Sequence, residues 1–208
     1  MARQTRQRIL DASLAMFNTQ GEPNVTTNHI ADELEISPGN LYYHFRNKDD
    51  IIEQLFGGYE ARMDAALTAP SGRLPELEDV WLQLHLVFEC IWDYRFLYRD
   101  LVDILSRNRR LRMRFARILK RADKQAHTVM RGLAKAGIMR ASADEVDAAA
   151  TNILVIATFW LNYAAARGDK DERASIRDGI VQVMMLIAPF LRDAERMHLN
   201  TLTRAYLE

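Results

Sequence analysis

A single cysteine, Cys90, stands in a chain of 208 residues. One thiol excludes an intramolecular disulfide and gives no metal-ligand spacing, so Cys90 reads as a small buried hydrophobe. Breakers are scarce as well, with nine glycines and five prolines. Long stretches free of both favour an all-α protein. Charge of one sign is missing: 28 Lys and Arg meet 28 Asp and Glu. The whole molecule is therefore no general polyanion binder, and any nucleic-acid footprint has to be local. No apolar run has signal-peptide or membrane-span character, and the opening MARQTRQR leads straight into an amphipathic helix. A soluble cytoplasmic protein that does not engage a membrane is the expectation. Absent too are a Gly-rich phosphate loop, a metal-ligand cluster and a nucleophile elbow, so neither an enzyme, a cofactor nor a metal site is expected.

What is present is helical periodicity. Ile9, Ala12, Leu14, Met16 and Phe17 recur at helical spacing before Gly21, a C-terminal stop. Thr26 or Thr27 caps a second helix whose buried stripe is Ile30, Ala31 and Leu34, Ala31 being small enough for a close crossing. A third helix opens on Ser37-Pro38-Gly39: serine is a good N-cap, and proline suits the first helical position, where no N–H is needed. Leu41 and Phe45 share its buried face, leaving Tyr42, Tyr43 and His44 to point elsewhere. Asn47 caps a fourth helix, with Asp49 and Asp50 in its first turn and an internal Gly57-Gly58 pair that suits close packing or a bend.

RQRILDASLAMFNTQG, VTTNHIADELEIS and PGNLYYHFRNKDDIIEQL together resemble the DNA-binding domain of the TetR/AcrR family of transcriptional regulators, over roughly the first sixty residues. The resemblance implies a helix-turn-helix domain over residues 1–68 (motif about 26–45), a helical effector-binding and dimerisation domain over 69–208, and double-stranded operator DNA as partner. In such a motif the second helix enters the major groove while surrounding groups grip phosphates. Thr26, Thr27, Asn28, Ser37, Tyr42, Tyr43 and His44 are the candidate backbone and sugar contacts, and Lys48 is a phosphate clamp in the family pattern. Base reading falls to Thr27, Pro38, Gly39, Asn40 and Tyr42; Asn40 can pair bidentately with adenine. Amides at the Ser37-Pro38-Gly39 end form a candidate anion site. Residues 1–50 hold five Lys and Arg against seven acids, so binding must rest on placement, with a modest salt slope. One departure is Glu35, where the family usually has glycine; a left-handed backbone there costs about 1 kcal/mol.

Ala69 to Pro75 reads as the linker. Beyond it about six helices are expected, among them 77–94, 95–106, 111–135, 142–166, 172–191 and 193–206. Trp81, Leu84, His85, Phe88, Trp92, Phe96, Phe115, Asn152, Phe159, Trp160 and Tyr163 are candidates for an effector pocket, although an aromatic stripe is more often core. The cation run from Arg107 to Lys124 reads as a solvated helix face or as the head-group site of an acyl or carboxylate effector. Ala149, Ile153, Ile156, Ile176, Ile180, Val183, Met184 and Ile187, on two long apolar helices, are candidates for a four-helix seam with a second copy. A two-fold dimer would set two recognition helices about 34–36 Å apart. The function expected is a homodimeric repressor released from a palindromic operator by a small apolar or acyl-like molecule, with an activator or a ligand-sensing adaptor as alternatives. Pro70 and the contact of the fourth helix with 95–106 are the expected transmitters.

Overall fold

A computed structural model describes residues 2–68, 72–169 and 171–207, so the linker residues Ala69, Pro70 and Ser71 lie outside the described part. The described residues are helical throughout, apart from turns and one isolated bridge between Met139 and Leu191. Four helices precede residue 69: α1 (Ala2–Gln20), α2 (Thr27–Glu33), α3 (Pro38–His44) and α4 (Lys48–Ala66). Seven follow: α5 (Leu77–Asp93), α6 (Arg95–Arg99), α7 (Leu101–Arg107), α8 (Arg109–Lys135), α9 (Ala143–Arg167), α10 (Glu172–Ile187) and α11 (Asp193–Leu207). Short 3₁₀ turns sit at Glu22–Asn24 and Ala188–Phe190.

The single helix expected over 95–106 is two helices, because Asp100 leaves the helical region at φ −106°, ψ 21°. Its carboxylate instead accepts the Glu22 N–H at 3.2 Å. Likewise α10 stops at Ile187 and tightens into the turn holding Pro189, which has no N–H to give. Ser142 and Glu145 close the expected capping box on α9.

The chain forms two compact units, and they do not divide it at a single point: residues up to Arg62 join Asp93–Arg114, while Met63–Trp92 joins the chain from Phe115 onward. In the first unit Ile9, Phe17, Ile30, Ala31, Leu41 and Phe56 are wholly buried, and Phe17 meets Phe96 with ring centroids 5.3 Å apart. Phe96 is thus core of this unit rather than pocket wall. Asn18 holds the junction, donating to the Asp93 carbonyl at 2.8 Å and accepting from the Phe96 N–H at 3.1 Å. The α4–α6 contact centres on buried Tyr59 and Tyr98, whose hydroxyls meet at 2.7 Å. Gly58 permits the close approach: a Cβ there would lie 2.8 Å from the Tyr94 hydroxyl.

The second unit is built on α9 and α10. Gly179 is its tightest point, where a Cβ would stand 2.6 Å from Phe88 and 2.7 Å from Trp160. Trp160 donates its indole N–H to the Ser175 carbonyl at 2.6 Å, satisfying the polar end of a buried ring. Ile176, Ile180, Val183, Met184 and Ile187, expected on the seam with a second copy, are buried inside this unit, as is Ala149. Cys90 is buried as a small hydrophobe. The expectation about apolar runs needs one correction. Among the described residues, α9 is long and apolar enough to cross a membrane by length and composition, with only 33% of its apolar window buried. The acids and arginine at its ends hid a run that is apolar on both faces of the helix. Its outward stripe carries Val155, Phe159 and Tyr163.

Candidate nucleic-acid interface

Thr26 caps α2 from an extended backbone: its hydroxyl accepts the His29 N–H at 3.2 Å, and His29 Nδ1 accepts the Thr26 N–H at 3.4 Å. Two orphan donors of the first turn are thereby answered. The turn after α2 runs through Glu35, the one non-glycine residue with positive φ among those described, at 53°. It brings the Ile36 N–H to the Ala31 carbonyl at 3.0 Å and delivers the chain to Ser37.

Leu41 and Phe45 then fix α3 on the core, at 0% and 3% exposure, so its other residues must face out. Ser37, Pro38, Gly39, Asn40, Tyr42 and Tyr43 are exposed and His44 is half-buried. Tyr43 stands edge-on to His44 with centroids 5.1 Å apart. Thr27, at the start of α2, meets the Tyr42 hydroxyl at 2.9 Å, so the two helices present one continuous polar patch; Asn28 is exposed beside it. Arg6 of α1 lies over the Phe45 ring at 4.8 Å, a contact with no periodic signal in the sequence.

Two expectations are changed by the geometry. At the α3 start, Pro38 has no N–H, Asn40 donates to Ser37 and Leu41 to the Ser37 carbonyl. Only the Gly39 amide is left without an acceptor among the described residues, so the anion site expected from several amides is one amide. Lys48, expected as a clamp, is turned inward. Its ammonium lies 2.8 Å from the Glu22 carboxylate and donates at 3.0 Å to the carbonyls of Glu22 and Val25.

Glu22 is wholly buried, and Arg107 completes its pairing at 2.7 Å. Burial works against the Arg107 charge, but the Glu22 contact and the field of Glu22, Asp49 and Asp103 outweigh it and raise its pKa. Burial pushes the neighbouring Asp100 carboxyl up, against the Glu22 N–H it accepts. This cluster fastens the 3₁₀ turn before α2 to α4 and α7. Glu22 did not stand out in the sequence and Arg107 read only as the start of a cation run, since partners 85 positions apart leave no local pattern.

The remaining candidates fall elsewhere. Trp81, Leu84, His85 and Trp92 are half-buried, Phe88, Phe115 and Trp160 are core, and Asn152, Phe159 and Tyr163 are on the surface. Arg173 lies 5.3 Å over the Trp92 ring. Phe159, Trp160 and Tyr163 line, with Ile156, an open groove of about 390 Å³ on the α9–α10 face. Ile153 and Ile156 are half-buried. Among the described residues no group of three His, Cys, Asp or Glu could hold a metal ion.

Residues 9–55 match the family described as bacterial regulatory proteins, tetR family, and residues 58–199 match TetR, bacterial transcriptional repressor. A TetR-family transcriptional regulator from Marinobacter aquaeolei, known from a crystal structure, is 38% identical, with a TM-score of 0.89 over 98% of this chain and 99% of that one. A regulator from Saccharomonospora viridis, solved in complex with choline, shares the fold at 20% identity, with a TM-score of 0.67 over 97% of this chain and 96% of that one. The HTH-type transcriptional regulator TtgW of Pseudomonas putida is 32% identical over 71 residues, 34% of this chain and 53% of that protein. The chain thus spans about half, or less, of the curated relatives it matches. A helix-turn-helix with its reading face exposed, followed by a helical second unit, and a family match running from residue 9 to residue 199, lead to one conclusion: the chain belongs to the TetR family of bacterial transcriptional regulators and is a DNA-binding regulator rather than an enzyme.

Proposed function

We propose that this protein is a homodimeric repressor that holds a palindromic operator and leaves it when a small molecule binds its second unit. The observation that carries the reading is the patch of exposed Asn40, Tyr42 and Tyr43, with half-buried Thr27 beside them, on a helix pair anchored by wholly buried Ile30, Ala31 and Leu41. In this reading Asn40 reads a base edge, while Thr26, Thr27, Asn28, Ser37, Gly39, Tyr42, Tyr43 and His44 grip backbone. Lys48 acts by holding the 3₁₀ turn in place rather than by touching phosphate.

The dimer forms through the outward faces of α9 and α10. Val155, Phe159, Tyr163 and Met185 are all more than a third exposed there, a contiguous apolar surface of the kind that marks an interface. The description of the matching family as repressors supports the sign of regulation. The choline complex of the Saccharomonospora viridis protein supports a small-molecule effector. Release requires only that the effector favour the state that does not fit DNA, with a coupling of about 1–3 kcal/mol.

Gel-shift titration against the protein's own upstream region tests the reading. Tyr43→Ala is expected to weaken binding to every sequence alike, and Asn40→Ala to relax preference at one base position at a cost of about 1–3 kcal/mol. Unchanged affinity and preference in both variants would refute the site.

A further inference from the structure

Four of the nine cations from Arg107 to Lys124 are paired with acids of the same chain. Arg107 pairs with Glu22, Arg110 with Glu53 at 3.1 Å and Arg114 with Glu60 at 2.7 Å, which commits these three to the protein's own acids. The last turns are different. In the second unit Asp64 and Leu67, at the end of α4, and Arg121, Lys124, Gln125 and Thr128 of α8 enclose a cleft of about 320 Å³. That is at the small end of the range for small-molecule sites.

We infer that this cleft binds a small monoanionic carboxylate with a short apolar tail, a ligand class that rests on, and sharpens, the effector reading above. Three features carry it. The Gln125 side-chain nitrogen is fully shielded and has no acceptor, a donor left open where desolvation makes it costly. Lys124 is exposed at the rim with no ion-pair partner among the described residues. Arg121 pairs with Asp64, but both side chains are nearly half exposed, at 43% and 47%, so that pair is weak and exchangeable.

A carboxylate entering the cleft accepts from Gln125 and Lys124 and competes with Asp64 for Arg121. The Thr128 hydroxyl already donates to the Lys124 carbonyl at 2.8 Å and so adds no donor for the anion. Two cations against the one Asp64 carboxylate leave one net positive charge, which suits a monoanion and disfavours a dianion. Leu67 and the stems of Arg121 and Lys124 give the tail an apolar wall.

Calorimetric titration of the full chain with hexanoate, with hexanamide as the neutral control, tests the site. Saturable hexanoate binding is expected, about tenfold weaker for hexanamide and about tenfold weaker in Lys124→Met and in Gln125→Leu. Circular dichroism of each variant confirms that it is folded. No saturable hexanoate binding, equal affinity for both probes, or unchanged affinity in both folded variants overturns the inference. A gel shift on the same samples separates the two readings: intact operator binding without hexanoate binding removes this site and leaves the regulator, whereas lost operator binding in the unaltered protein removes the regulator reading instead.

Discussion

Glu35 carries a left-handed backbone at φ 53°, in the turn between α2 and α3. A Cβ there costs about 1–2 kcal/mol, and the extra freedom of an unfolded glycine returns part of that on substitution. Glu35→Gly is therefore expected to stabilise the protein by about 0.5–1 kcal/mol, read as a higher urea midpoint at constant slope. A lower midpoint would mean that the glutamate side chain holds the turn in some other way. The left-handed position was legible in the sequence only as a departure from family pattern. The inward turn of Lys48 was not legible at all, because a lysine beside two aspartates reads the same whether it faces a phosphate or a buried carboxylate.

At the scale of elements, the fold hangs on short polar ties between pieces distant in sequence. Glu22 is buried with two cations, so removing one leaves a poorly compensated charge. Lys48→Met should cost about 2–3 kcal/mol in urea unfolding, and adding Glu22→Gln should return part of that loss. Strict additivity of the two would show that the pair does not interact. A second tie joins α8 to α9, where His127 has the Asp123 carbonyl 2.8 Å from Nδ1 and Asp147 2.9 Å from Nε2. Both ring nitrogens face acceptors, which only the imidazolium can satisfy. The backbone carbonyl of Asp123 and then the Asp147 carboxylate raise its pKa, against burial. A raised folded pKa gives stability that is complete below the ordinary imidazole value of about 6.5 and lost as pH rises through the folded value. Melting temperatures should therefore fall across that window in the parent protein and stay flatter in His127→Gln. Identical pH profiles would assign the dependence to other groups.

On the scale of the whole molecule, the proposed dimer rests on the outward apolar stripe of α9. Phe159→Asp places a charge in the proposed seam, and light scattering should show monomers where the parent protein runs as a dimer, together with weaker operator binding through lost avidity. A dimer that survives Phe159→Asp would move the interface elsewhere. The zero net charge predicts a shallow decline of operator affinity with salt, since few phosphates are neutralised.

Most helices, their caps and the outward face of α3 were open to inspection along the chain, because they depend on neighbours within four or five residues. Ser37-Pro38-Gly39 starts a helix, Leu41 and Phe45 bury one side of it, and Tyr42 and Tyr43 are left outside whatever surrounds them. Periodicity could not say which apolar residues meet one another. Ile176, Ile180 and Met184 read as seam, and only their burial within the folded unit placed them inside. Phe96 looked like part of an aromatic stripe until the chain folded it against Phe17. The sequence alone determined the all-helical architecture and the DNA-reading motif, since both are written in short-range spacing. The tertiary structure decided the fate of the charges and the aromatics, since their meaning depends on partners scores of residues away.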